Sequence, residues 1–198
     1  MLNKQHPVRK TAIIVISLLA AITVLPWAIG MDREQTPAFG QAESLDAWQK
    51  ISTVLQHPRC INCHQANVPL QGDMQRIHVP LVVRGPDNRG VSAMRCANCH
   101  NAIGNNPTSG TPGAPHWQLA PISMLWQELS TGQLCRMLKN PQLNGNRTPQ
   151  ALISHMDKDL LVLWGWNPGK GREPVPVPHK EFVDQMKVWV AGGTACPE

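Results

Sequence analysis

The chain contains RCINCHQA at residues 59–66 and RCANCHNA at residues 95–102, which are two copies of one pattern. Each copy has two cysteines separated by two residues and followed directly by a histidine. The copies also share an arginine, an asparagine and an alanine at equal offsets. Cys60 and Cys96 are only 36 residues apart, which is too short for two independent domains. We therefore expect a duplicated unit within one hydrophobic core.

The Cys-x-x-Cys-His spacing is the attachment pattern of c-type haem. The two thiols add to the vinyl groups of the haem, and the adjacent histidine binds the iron as the proximal ligand. A four-cysteine zinc site or a thiol-redox pair also uses Cys-x-x-Cys, but neither explains both histidines. We therefore expect two covalently bound haem c groups, held by Cys60, Cys63, His64, Cys96, Cys99 and His100.

On these residues the chain resembles small di-haem c-type cytochromes. The resemblance implies covalent haem c and electron transfer, and it leaves the fold open. Residues 78–85, 112–117 and 163–169 are similar to segments of small proteins linked to isoquinoline 1-oxidoreductase, a molybdenum hydroxylase. This second resemblance implies that the chain takes electrons from a partner hydroxylase and does not itself hydroxylate a substrate.

An electron-transfer haem usually has a second protein ligand on the far side of the iron, either histidine or methionine. His78 follows His64 by 14 residues, and His116 follows His100 by 16 residues. These similar distances favour bis-histidine coordination with a distal ligand inside each repeat. His155 competes with both because it falls on an expected helix. The candidate iron ligands are His64, His100, His78, His116 and His155, with Met74 and Met156 as alternatives.

Apolar residues recur at helical spacing in four segments. We expect Ser44 to N-cap the first helix, which ends before Pro58. The chain has 18 prolines and 15 glycines, so long loops should join the helices. The expected fold class is mainly α and loop-rich, with a cytochrome c-like di-haem domain over residues 44–198. The other helices should run from Thr131 to Asn140, from Pro149 to about Trp164, and from His179 to Ala191.

Residues 1–30 have the features of an export segment. Basic residues precede the 21 uncharged residues 11–31, which approach the length of a membrane span. We expect either an uncleaved transmembrane helix, with residues 11–29 as the anchor, or a signal peptide that is removed. Residues 31–43 should form a linker. The expected location is the periplasmic side of the bacterial inner membrane, or the periplasm itself after cleavage.

Cys135 and Cys196 lie outside both motifs. Because exported proteins meet an oxidising compartment, we expect these two cysteines to form a disulfide. The formal net charge is +5, and three of these positive charges precede residue 11. The remaining chain is nearly neutral, which speaks against a nucleic-acid partner.

The sequence favours an electron carrier over an enzyme. It has no evident flavin, pterin or phosphate-binding pattern. We expect it to pass single electrons from a donor dehydrogenase or hydroxylase to a respiratory acceptor. The alternatives are a haem enzyme, such as a peroxidase or small-molecule oxidoreductase with one open iron site, and a haem-based ligand sensor.

Overall fold

The computed structural model describes residues 39–198, and all structural statements below concern this part of the chain. The expected membrane segment and residues 31–38 of the expected linker lie outside the described residues. Among the residues described, no helix has the length and apolar character needed to cross a membrane.

The described chain is mainly helical and rich in loops, which confirms the mainly α, loop-rich part of the expected fold class. The cytochrome c-like di-haem domain stays a prediction. Its only sheet within residues 39–198 is an antiparallel pair that aligns Leu70 with Ile77 and Gln71 with Arg76. Short 3-10 helices cover Cys96–Asn98 and Trp164–Trp166. The helices are α1 (Gln41–Leu55), α2 (Pro58–Ile61), α3 (Thr131–Lys139), α4 (Pro149–Lys158), α5 (Leu160–Leu163) and α6 (His179–Ala191), and the strands are β1 (Leu70–Gln71) and β2 (Arg76–Ile77).

The core forms where α1 packs against α6. Trp48 on α1 and Trp189 on α6 are fully buried, and their ring centroids are 5.2 Å apart. Ile51 on α1 and Phe182 on α6 are also completely buried. Burial of each such side chain contributes about 1.5–3 kcal/mol. The apolar faces that the sequence predicts on α1 and α6 therefore pack against each other.

Helix α1 begins one turn earlier than expected. Gly40 is its N-cap, and the backbone N–H of Ser44 already donates to the Gly40 carbonyl. The Ser44 hydroxyl instead donates to the carbonyl of Trp189 at 2.9 Å and accepts from the N–H of Ala195 at 3.0 Å. The prediction that Ser44 caps α1 is therefore wrong, because the buried hydroxyl satisfies backbone groups near the end of α6.

The helical segment from Pro149 is interrupted at Asp159, where one continuous helix was expected. Asp159 has extended backbone dihedrals, and its carboxylate accepts from the N–H groups of Leu161 and Val162 at 2.9 and 3.3 Å. Aspartate side chains compete in this way with helical backbone hydrogen bonds. Asp159 thus ends α4 and caps α5.

Helix α3 begins as predicted, with a capping box formed by Ser130 and Gln133. It carries Cys135, which forms the expected disulfide with Cys196. The side chain of Cys135 is fully buried in the core. The bond joins the last residues of the chain to the middle of the fold.

Removal of this disulfide should lower the free energy of unfolding by about 4 kcal/mol, because it releases a long loop in the unfolded chain. The variant Cys196→Ser, in which the buried Cys135 is kept, should show this loss in urea denaturation. The matched control is the unaltered protein under reducing conditions, which should unfold at the midpoint of the variant. Equal midpoints for the oxidised protein and Cys196→Ser would contradict the prediction.

Candidate functional site

The first motif lies on the turn formed by α2. His57 caps this helix by accepting the N–H of Arg59 at its Nδ1 atom, and Pro58 is the first helical residue. The N–H of His64 then donates to the carbonyl of Cys60 at 3.2 Å. Residues three and four positions apart on a helical turn share a face. Local backbone geometry therefore places Cys60, Cys63 and His64 on one face of this turn.

The second motif repeats this backbone turn. The N–H groups of Cys99 and His100 both donate to the carbonyl of Cys96, at 3.2 and 2.9 Å. The N–H of Cys96 is held by the carbonyl of Arg89 at 2.9 Å. The duplicated sequence therefore has a duplicated local structure.

The four motif cysteines, all within the described residues, form no disulfide. Burial raises the pKa of the Cys60 thiol to about 12 and that of Cys63 to about 11, and the neighbouring Cys96 adds to the shift at Cys63. These two thiols are therefore protonated at neutral pH. No group of three or more His, Cys, Asp or Glu side chains in residues 39–198 is arranged to share one metal ion, so the four cysteines do not converge on a single zinc-type site.

The two motif histidines are held in the same way. His64 Nδ1 is 2.9 Å from the carbonyl oxygen of Met124, and His100 Nδ1 is 2.7 Å from that of Pro112. Burial lowers the pKa of His64 to about 3 and also lowers the pKa of His100, so both rings are neutral. A neutral ring that donates from Nδ1 keeps a lone pair on Nε2, which is the form that binds a metal.

Two further histidines have the same arrangement. His78 Nδ1 is 2.9 Å from the carbonyl oxygen of Pro80, and His155 Nδ1 is 3.3 Å from the Asp159 carboxylate. Within residues 39–198, the Nε2 atoms of these two rings and of the two motif histidines have no hydrogen-bond partner. By contrast, the Nε2 atom of His179 is 3.1 Å from the carbonyl oxygen of Met156.

Two adjoining cavities contain these four imidazoles. The larger cavity, about 690 Å³, is lined by the second motif and His78. The smaller cavity, about 230 Å³, is lined by the first motif, His155 and Met156. They share a wall, which we call the dividing wall and which consists of Arg59, Cys63, Trp117, Gln118, Leu119 and Trp164.

The histidines are not paired within the repeats. His78 lies beside His100, with ring centroids 5.9 Å apart and ring planes at 61°, although the sequence spacing paired it with His64. The β1–β2 hairpin directly precedes His78, and the His78 N–H donates to the carbonyl of Pro69. The expected partner of His100, His116, is exposed and lines neither cavity. The smaller cavity has His155 as its second histidine.

The two methionines proposed as alternative ligands differ in position. Met74 lines the larger cavity but is 76% exposed, whereas Met156 is buried and lines the smaller cavity beside His155. The smaller cavity therefore offers one histidine and one methionine in addition to the first motif.

An indole ring stacks on each motif histidine. Trp126 lies on His64 with ring centroids 3.3 Å apart, and Trp117 lies on His100 with centroids 4.5 Å apart. The interplanar angles are 15° and 9°. Together with the Nδ1 contacts, this stacking fixes the orientation of each imidazole. The sequence contains no signal for the Trp126 contact, because the two residues are 62 positions apart.

Arg84 holds together the loops around the cavities. Its guanidinium donates to the carbonyls of Gln65, Ala66 and Ala120 and to the side chain of Asn88. These groups belong to the loop after the first motif, the turn before the second, and the chain next to the dividing wall. A single half-buried cation therefore joins three loops around the cavities.

Comparisons with known protein families, with curated protein sequences and with solved structures find no match to this chain. The resemblances noted from the sequence therefore stay predictions.

Replacement of Arg84 by glutamine should lower the free energy of unfolding by about 2 kcal/mol, because three partly buried carbonyls lose their charged donor. Urea denaturation measures this loss. Arg89→Gln is the matched control, since Arg89 is exposed and its side chain makes one hydrogen bond, to Gln118. That variant should stay within about 0.5 kcal/mol of the unaltered protein. Similar losses in both variants would contradict the role given to Arg84.

Proposed function

We propose that this protein is a di-haem c-type cytochrome that transfers single electrons. The observation that carries the proposal is the set of four imidazoles, two from Cys-x-x-Cys-His turns, whose Nδ1 atoms lie beside oxygen atoms and whose Nε2 atoms have no protein partner among the described residues. A lone imidazole with this geometry is common, but four of them at two adjoining cavities require a common explanation. Iron coordination supplies this explanation, because the metal binds the free Nε2 nitrogen of each ring.

The donor set fits covalently bound haem. Each motif offers two thiols for thioether bonds and one imidazole for the iron. In the first motif, burial keeps both thiols protonated and the imidazole neutral. The larger cavity falls within the usual range for cofactor sites, about 300–1,000 Å³. The smaller cavity is narrower, but Met124, Met137 and Met156 line it, and methionine side chains adapt readily in shape. When bound, haem supplies an iron that changes oxidation state by one electron.

The geometry favours bis-histidine coordination in both cavities. We assign His64 and His155 to the smaller cavity and His100 and His78 to the larger one. Two protein ligands on each iron leave no position for oxygen or a substrate, as an electron carrier requires. The Nδ1 contacts and stacked indoles restrain the motif histidines, so they need little rearrangement when the oxidation state changes.

The dividing wall supports electron exchange between the two centres. Cys63 lines both cavities, and Cys96 lines the larger cavity with it. A haem held by each motif would therefore border this wall, and electrons would pass between the two groups across it.

The proposed partners follow from the expected export of the chain. The disulfide Cys135–Cys196 agrees with an oxidising compartment. We propose that the protein is soluble in the periplasm or tethered to the inner membrane, and that it accepts electrons from a dehydrogenase, including a molybdenum hydroxylase. A respiratory protein would then accept these electrons.

One observation favours the alternative, a haem enzyme with one open iron site. His78 lies between Ile77 and Val79, which are 63% and 74% exposed. A ligand on such an exposed segment is easier to displace than His155 on α4. The larger cavity is therefore the place where an open site would occur.

Covalent attachment can be tested by intact mass spectrometry of the protein produced in a periplasm with haem c maturation. The unaltered chain should exceed its polypeptide mass by two haems. Replacement of Cys60 and Cys63 by alanine, or of Cys96 and Cys99 by alanine, should remove one haem each, because each pair forms the thioethers of one ring. The control, Cys135→Ser with Cys196→Ser, should retain both haems. A chain without added haem mass would refute the proposed function.

The ligand assignment can be tested by visible spectra of the reduced protein with and without carbon monoxide. The unaltered protein should be low-spin and should not bind carbon monoxide promptly. His155→Ala and His78→Ala should each convert one of the two centres to a carbon monoxide-binding form, because each removes one ligand. His116→Ala is the control and should change nothing. Prompt binding by the unaltered protein would instead support the enzyme with an open site.

A further inference from the structure

Asp159 lies at the junction of α4 and α5, and its two carboxylate oxygens face different groups. Oδ1 accepts from the backbone N–H groups of Leu161 and Val162 at 2.9 and 3.3 Å, and so caps α5. Oδ2 is 3.3 Å from Nδ1 of His155. The helix cap and the histidine contact therefore belong to separate oxygen atoms of one side chain.

The position of this carboxylate does not depend on the ring of His155. The backbone N–H of Asp159 donates to the carbonyl of His155 at 3.1 Å, and the N–H groups of α5 hold Oδ1. Oδ2 is therefore fixed beside the imidazole of the preceding turn. Both residues line the smaller cavity. Because Nδ1 of His155 lies beside the carboxylate, Nε2 is the nitrogen that remains available there.

This acceptor differs from those of the other three imidazoles at the cavities. The Nδ1 atoms of His64, His78 and His100 lie 2.9, 2.9 and 2.7 Å from backbone carbonyl oxygens, which carry no net charge. Among these four histidines of the described chain, His155 alone has a carboxylate beside Nδ1. A carboxylate that accepts from one ring nitrogen makes the other nitrogen a more basic ligand.

We propose that Asp159 is a positioning residue for His155, and that it lowers the reduction potential of the centre in the smaller cavity. This inference rests on the proposed function, because it needs an iron bound to Nε2 of His155. The carboxylate accepts from Nδ1–H, restrains the ring and increases the basicity of Nε2. A more basic ligand and a nearby negative charge both favour ferric iron over ferrous iron.

The charges around the two cavities favour a difference in the same direction. The described residues that line the smaller cavity include two arginines, Arg59 and Arg147, and one acidic residue, Asp159. Positive charge disfavours ferric iron, so the larger cavity should have the higher potential. An electron at the first centre would then pass to the second with a decrease in free energy. The charged residues that line the larger cavity are Arg59, Arg76, Arg95, Lys170, Arg172 and Asp73.

The alternative role for Asp159 is that it only caps α5. Asparagine separates the two roles, because aspartate and asparagine are similarly good N-caps. In Asp159→Asn, the amide oxygen can keep the hydrogen bonds to α5, and the amide NH₂ group then faces Nδ1 of His155. Two donors face each other in that arrangement, so the variant loses the histidine contact and keeps the helix cap.

A redox titration of the haem-loaded protein compares the variants. Asp159→Asn should shift the reduction equilibrium of the lower-potential step about tenfold toward the ferrous form, equivalent to about 59 mV for one electron. Asp157→Asn is the matched control, because it removes the same charge from α4 but Asp157 lines neither cavity. It should shift the equilibrium about twofold or less. Equal shifts for the two variants would contradict the proposal.

Urea denaturation and electron paramagnetic resonance distinguish positioning from folding. Asp159→Asn should keep the urea midpoint of the unaltered protein, and one of the two low-spin ferric signals should change its g values. Asp159→Ala removes the cap and the histidine contact together, so it should lower the urea midpoint and also raise the lower potential. If the potential changes in Asp159→Ala but not in Asp159→Asn, the residue acts through the helix cap and the proposal is wrong.

Intact mass separates failure of this inference from failure of the proposed function. Two haems in both the unaltered protein and Asp159→Asn, with equal lower potentials, would overturn the role of Asp159 and leave the proposed function intact. A crystal structure in which Met156 binds the iron of the smaller cavity would do the same. A chain without added haem mass would refute both.

Discussion

The arrangement of the site depends on oxygen atoms that hold the Nδ1 atoms of four histidines. Three of these acceptors are backbone carbonyls, and two of the three belong to Pro80 and Pro112. Proline has no N–H and favours extended backbone, so proline-rich loops leave carbonyl groups free for other donors. The high proline content of the chain, which first indicates only loops, thus also provides the acceptors that orient the imidazoles.

The helices and the loops have different roles in this protein. Helices α1 and α6 bury the large aromatic residues and are closed by the disulfide to α3. The loops carry most of the cavity lining and depend on side-chain hydrogen bonds, above all those of Arg84. The packed helices thus form the base of the fold. The hydrogen bonds of Arg84 hold the loops that line the cavities, so the site needs no large sheet.

The features that could be predicted from the sequence are local ones. The turns at Cys60 and Cys96 follow from contacts three and four residues apart, and α3 begins at Thr131 as expected. The predicted N-terminus of α1 is wrong because the Ser44 hydroxyl forms hydrogen bonds with backbone groups near the C-terminal end of the chain. The break at Asp159 is not predicted because the Asp159 carboxylate competes with helical backbone hydrogen bonds. The periodicity of apolar residues does not reveal this competition.

The contacts between distant segments could not be predicted in this way. The local pairing of His78 with the first motif assumed that each repeat is self-contained, whereas the hairpin that precedes His78 brings this residue to His100. The stacking of Trp126 on His64 likewise depends on chain folding across many residues. Both contacts arise from tertiary packing, which the spacing of residues along the sequence does not predict.

The dividing wall has a consequence for how the two proposed centres work together. Because Cys63 and Arg59 line both cavities, a charge added at one centre changes the electrostatic energy of the other. Two centres with the same bis-histidine ligands would therefore not titrate independently, since reduction of the first disfavours reduction of the second. Their apparent potentials belong to the pair, as with coupled titrating groups. In the proposed di-haem protein, a wide spacing of potentials would thus arise from proximity alone, without any difference in ligand type.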